Sequence, residues 1–161
     1  MKKLKTFLTL IIFLFLFEAS KLPAFACIEG LSWGMDLSSV EKHLGVGLSQ
    51  LDQGKTKDLY EIRNFKMSGI PVISLRLRVE KQYGLKQLAY EMEYENMTEV
   101  LAGLRKRFGT PIETSFDIDN GSSQQQWVWH TGDDVITAIK SDKSPFLLSY
   151  KPSLLDPSFL G

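Results

Sequence analysis

The sequence predicts an α+β protein built of two helix-plus-antiparallel-sheet halves, tandem and repeat-like, that share one core. Three observations predict it. Two segments of helical spacing, at residues 36–45 and 96–109, lie about sixty positions apart. Each is followed by runs in which apolar and polar residues alternate, and tight turns such as Tyr83-Gly84 and Gly132-Asp133 separate those runs. A helix face laid on an antiparallel sheet face is one pair of layers, so the halves can bury a continuous core. With 161 residues, 43 % apolar and 24 % charged, the chain can do so without disulfides or a structural metal.

The first element is an export address. Lys2, Lys3 and Lys5 precede an eleven-residue apolar run at 7–17, and a polar stretch ends in Leu22-Pro23-Ala24-Phe25-Ala26. This is the order of a secretory signal, and the run is shorter than the roughly 20 residues a membrane-spanning helix needs. The small side chains of Ala24 and Ala26 place cleavage after Ala26, which makes Cys27 the first mature residue. The expected organisation is a signal at 1–26, a single domain at 27–152 with halves at 31–95 and 96–152, and a loose tail at 153–161.

Cys27 at that position admits a second reading, a lipidated terminus held in a membrane. Phe25 is a bulky ring where a lipoprotein signal has a small residue, so soluble export, periplasmic or secreted, is preferred. Without a lipid, Cys27 is the single thiol of a protein in an oxidising compartment, fit at most for an intermolecular bridge.

In the first half, Leu37, Val40 and Leu44 share a helix face, Asp36 caps the first turn and Gly45 ends it. Strands follow at 59–67, 71–81 and 85–94. The second alternates cleanly, with Ile73, Leu75, Leu77 and Val79 on one face, and the third carries Leu88, Tyr90, Met92 and Tyr94. A turn at Tyr83-Gly84 sets Leu75 beside Met92, Leu77 beside Tyr90 and Arg76 opposite Glu91.

In the second half, Asn96 and Glu99 have capping-box spacing, and Met97, Val100, Leu101, Leu104 and Phe108 form the apolar side of a helix that Gly109 and Pro111 stop. Strands follow at 112–118, 125–131, 135–141 and 146–151, the last expected on an edge because Pro145 and Pro152 bracket it.

Trp33-Gly34-Met35 leading into a capped helix that ends in Gly, and a later helix ending Arg107-Phe108-Gly109-Thr110-Pro111 before a sheet, resemble small exported bacterial proteins of the BamE (SmpA/OmlA) and β-lactamase-inhibitor-protein architecture. The resemblance runs over most of residues 31–150 in element order. It implies a non-catalytic protein that works through sheet and loop surfaces, scaffolding an envelope assembly or blocking another protein.

Catalytic chemistry finds few residues to work with. Nucleophilic catalysis needs a base beside a Ser, Cys or Thr. His43 and His130 are the only histidines, and neither lies in a nucleophile-elbow sequence. No His or Cys spacing suits a metal. Asp117-Ile118-Asp119-Asn120-Gly121 resembles the start of a calcium loop, but its glycine comes one place early and Val128 stands where the closing carboxylate belongs. No catalytic residue, metal site or cofactor is therefore assigned.

Arg105, Lys106 and Arg107 cluster on the last turn of the second helix, where the helix dipole favours cations. Removing residues 1–26 leaves a formal balance of −3, a poor field for nucleic acid. Trp127 and Trp129 share a strand face and, with Tyr90, Tyr94, Phe108 and Phe116, are expected in the core.

The expectation is an exported, non-catalytic module that binds an unknown protein or envelope component, with Trp33, Arg105, Lys106 and Arg107 as the candidate surface. A membrane enters only if Cys27 is lipidated. Two rivals are a small extracytoplasmic hydrolase using carboxylates such as Glu91 or Asp133, and a lipidated outer-membrane assembly factor. A third, a carrier, requires an enclosed apolar pocket of roughly 300 Å³ or more.

Overall fold

A computed structural model describes residues 30–51, 58–119 and 122–153. The expected signal with its Ala26-Cys27 junction, and the tail beyond Ser153, lie outside the described residues. Helix α1 (Leu37–Leu44) is followed by β1 (Ser49–Gln50), β2 (Leu59–Met67), β3 (Ile70–Glu80) and β4 (Gly84–Met92). A 3-10 turn at Tyr94–Asn96 leads into α2 (Met97–Phe108). Then come β5 (Glu113–Asp119), β6 (Ser122–His130), β7 (Asp134–Ser141) and β8 (Ser144–Pro152).

The eight strands form one antiparallel sheet in the order β1-β2-β3-β4-β8-β7-β6-β5. This overturns the expected pair of helix-plus-sheet halves: the described residues form one continuous sheet with two helices. Strand β8 is central and not on an edge, for it pairs with β4, Leu88 opposite Tyr150 and Met92 opposite Phe146. Pro145 and Pro152 misdirect the sequence reading because they stand at the two ends of β8, where a missing N–H interrupts no interior ladder bond.

One face of the sheet carries the core. Leu75 and Leu77 of β3, Leu88, Tyr90 and Met92 of β4, Phe146, Leu148 and Tyr150 of β8, Ile136 and Ala138 of β7, and Trp127 and Trp129 of β6 are all buried. Val40 of α1 and Val100, Leu101 and Leu104 of α2 belong to the same cluster. The other face bears polar side chains over β2, β3 and β4, among them Glu61, Ser74, Arg76 and Glu91.

Helix ends follow the sequence in three cases of four. Asp36 accepts from Ser39 N at 2.9 Å, Gly45 takes φ +68 after α1, and Gly109 takes φ +80 after α2. The expected capping box at Asn96 does not form. Asn96 has helical backbone angles at the end of the 3-10 turn, and its amide reaches Pro71 O at 3.5 Å instead.

The β3–β4 hairpin keeps its expected faces but not its expected register. Leu75 lies opposite Tyr90 and Leu77 opposite Leu88, two positions from the Tyr83-Gly84 register, with a bulge between Arg78 and Val79. A two-residue slip leaves every side chain on its own face, so the alternation could not detect it. Asn64, at φ +57, interrupts the alternation in β2, so that Ile62 and Phe65, three apart, both join the core. Ile73 stands across from this break and is exposed, contrary to its expected place on the core face.

The segment before α1 is tied onto β4. Gly34 N donates to Leu85 O at 3.0 Å, and Leu85 N donates to Met35 O at 2.8 Å. Gly84, at φ +66, passes so close that an added Cβ would lie 2.1 Å from Gly34 O and 2.7 Å from Met35 O. Only glycine fits there.

Candidate functional site

At the β5 edge, exposed apolar side chains lie beside backbone groups that no described strand pairs. Thr114, Phe116 and Ile118 suit a pleated strand, and β5 pairs with β6 along its whole length, from Glu113 opposite Val128 to Asp119 opposite Ser122. As the last strand of the sheet, it has no described strand on its outer side. Its outward backbone groups form a template for another strand.

The side chains of β5 divide by face. Thr114, Phe116 and Ile118 lie on the core side, opposite Trp127, Gln125 and Ser123. Trp127 is buried, and Trp129 donates from Nε1 to Gly109 O at 3.0 Å, so the end of α2 is fastened over β6. Strand β5 lies beyond that cover, and every residue from 113 to 118 is exposed. Ile112, Phe116 and Ile118 are 69 %, 63 % and 68 % exposed. Glu113, Ser115 and Asp117 occupy the other face, which makes it acidic. Phe116 was expected in the core; it is out because strand order, not composition, put β5 at the rim.

The opposite edge is blunted. Strand β1 pairs with Tyr60 and Glu61, Leu51 N next to it donates to Leu59 O at 2.8 Å, and on the other side Asn64 breaks the extended backbone. There Arg63 donates from Nε to Glu61 Oε2 at 2.8 Å, while Arg76 bridges Glu61 and Glu91, with its Nη1 2.8 Å from Glu91 Oε1. Ser74 Oγ also donates to Glu91, at 2.9 Å. Hydrogen bonds from Arg63 and Arg76 hold the Glu61 carboxyl below its usual range against the burial that opposes them. The expected Arg76–Glu91 pair therefore forms, though Arg76 lies opposite Ala89 in the ladder.

The residues singled out from sequence are dispersed. Trp33 is turned inward, donating from Nε1 to Asp134 Oδ1 at 2.6 Å. Asp134 is buried, and burial pushes its carboxyl up, with the Trp33 hydrogen bond opposing and the charge of Asp133 adding to the rise. Arg105, Lys106 and Arg107 are exposed on α2, and the Arg107 guanidinium lies 5.0 Å from the centre of the Phe108 ring.

Of the two carboxylates named for hydrolysis, Glu91 is held by Arg76 and Ser74, whereas Asp133 is exposed in the β6–β7 turn. Glu91 lies level with Leu147 and Asp134 level with Pro152, five residues along β8, or about 17 Å of strand. They do not share a cleft.

Sequence reasoning missed a Ser–His contact. His130 Nε2 is 2.8 Å from Ser153 Oγ, and Gly132 N donates to His130 Nδ1 at 3.2 Å. Which of His130 Nε2 and Ser153 Oγ donates depends on the tautomer of the ring. His43 is exposed at the end of α1, its ring beside Gly30.

A cavity of about 290 Å³ lies between α2 and the β2–β3 turn, with Met67, Ile70, Val100, Leu104, Phe108 and Tyr150 among its walls. Exposed Ser68, Glu99, Gly103 and Arg107 form its rim, so it opens along α2 and is not the enclosed pocket a carrier needs. Among the described residues no helix is long and apolar enough to cross a membrane.

No protein-family model matches the chain, and no curated protein matches it. Neither the BamE nor the inhibitor-protein family is indicated. Among solved structures the chain is similar to a DUF4309 family protein (YjgB) from Bacillus subtilis, at 16 % identity and a TM-score of 0.44, over 72 % of this chain and 77 % of that one.

Proposed function

We propose that this chain is an exported, non-catalytic module that binds another macromolecule through the rim of its sheet. One observation carries the reading: Phe116 and Ile118, and Ile112 just before them, stand exposed along a strand whose outer backbone edge is unpaired among the described residues. Such an edge invites aggregation unless it has a use, and strand addition is a common use. The dispersal of Glu91 and Asp133 supplies no competing reactive centre at the same place. Export rests on the charged, apolar and small-residue order of residues 1–26.

Site-specific photocrosslinking tests this. A photoreactive amino acid at position 116 is expected to give a discrete adduct in the native envelope or culture medium. The same group at position 38, an exposed site on α1, is expected to give none. Equal labelling at both positions, or none at 116, refutes the reading.

A further inference from the structure

We infer that the partner presents an extended segment of about seven residues in which apolar side chains alternate with Lys or Arg, added as a ninth strand beside β5. This rests on the proposed use of the β5 edge and specifies its occupant. Strand β5 is seven residues long, which sets the length. Its core-side row, Thr114, Phe116 and Ile118, calls for apolar neighbours, because cross-strand partners share a face. Its other row carries Glu113 and Asp117, which call for cations at the alternate positions.

A second copy of this chain meets that specification badly. In antiparallel self-pairing of β5, the register centred on Ser115 sets Glu113 against Asp117 of the second copy, and the one centred on Asp117 sets Asp117 against itself. The register centred on Phe116 gathers Glu113 and Asp117 of both copies on one face. Like charges placed so oppose pairing. Strand β2 of a second copy does carry Arg63 and Lys66, but β1 occupies Tyr60 and Glu61, Asn64 at φ +57 breaks the extended run, and Arg63 is already held by Glu61. Only three residues of regular edge remain past Asn64, too few to match β5. Among the described residues neither edge of a second copy supplies the basic, apolar strand, so the occupant assigned is a segment of a different protein.

The test uses the chain processed after Ala26 and three blocked peptides, Thr-Lys-Val-Lys-Ile-Lys-Thr and its analogues with Glu or Gln at every Lys. Binding is read by calorimetry and by amide protection along residues 113–118. The Lys peptide is expected to bind at least about tenfold more tightly than the Glu peptide, since two cross-strand pairs change sign, and to weaken as salt is raised. A Glu113→Lys, Asp117→Lys variant, exposed at both sites and checked by circular dichroism, is expected to reverse the preference. Equal binding of all three peptides overturns the charge specification while leaving the β5 edge as the binding site. Self-association of the chain that protects 113–118 and excludes the Lys peptide overturns the inference in favour of a second copy. Failure of every peptide to bind overturns it too, and crosslinking from position 116 then decides separately whether the edge is used at all.

Discussion

Replacing Gly84 by alanine separates two costs that glycine usually hides together. Gly84 and Gly45 have nearly the same backbone angle, φ +66 and +68, so an alanine at either suffers the left-handed penalty of about 1 kcal/mol. At Gly45 a Cβ meets nothing within 4 Å. At Gly84 it meets Gly34 O at 2.1 Å, Gly34 C at 2.4 Å and Met35 O at 2.7 Å, all backbone atoms that cannot swing aside. Gly34–Met35 must lift away from β4, and the hydrogen bonds Gly34 N to Leu85 O and Leu85 N to Met35 O go with it, at about 1 kcal/mol each. Part of the Trp33–Asp134 bond, which has a charged acceptor, goes as well. The expected cost is about 3–5 kcal/mol for Gly84→Ala against about 1 kcal/mol for Gly45→Ala. For a domain of this size that is a fall in Tm of roughly 10 °C or more against a few degrees. Guanidinium chloride unfolding of both variants, with m-values compared, measures the difference. Equal costs would refute the claim that contact between Gly84 and the Gly34–Met35 backbone fastens the entry segment.

Three further outcomes follow from the structure. Asp36→Ala removes the α1 cap on Ser39 N and is expected to lower stability by about 1 kcal/mol, read as the urea midpoint. Gly103→Ala, inside α2 where a Cβ meets nothing within 4 Å, is expected to raise stability by about 0.5–1 kcal/mol in the same assay. Between pH 7 and pH 3 the two buried carboxylates act in opposite senses. Glu61, with its pKa held below 4.5, contributes stability above that value that is lost as pH falls through its folded pKa. Asp134, pushed above 3.8, disfavours the folded state at neutral pH and ceases to do so as pH falls through its folded pKa. Unfolding free energies across that range should show Glu61→Gln flattening the acid-side decline. Asp134→Asn, which keeps an acceptor for Trp33, should steepen it, because the wild-type Asp134 partly offsets the loss.

What the sequence could show was local. Asp36, Gly45 and Gly109 mark helix ends because capping is decided within a few residues. Strand faces were legible from alternation, and Trp127 and Trp129 do lie inside. Strand order was not legible, since the β4–β8 pairing joins residues about sixty positions apart and leaves no mark on either segment. That is why β8 was expected at an edge and Phe116 in the core. The proposed rim was half visible: Glu113, Ser115 and Asp117 alternate with Thr114, Phe116 and Ile118, but a strand with that pattern becomes an edge only when nothing pairs outside it. Asn64 was silent in the sequence as well, because an asparagine in the left-handed region looks like any polar residue on a strand.

Among the described strands every contact but one links segments that follow each other in the chain; there the β4–β8 seam alone closes a long loop. Folding speed should therefore hang on this one encounter, since chain entropy must be lost before its contacts form. Until β8 arrives, β4 and β7 each expose a raw border, so a nascent chain lacking residues beyond 143 is doubly prone to aggregate. A delay before β8 emerges is the kinetic weak point of this topology.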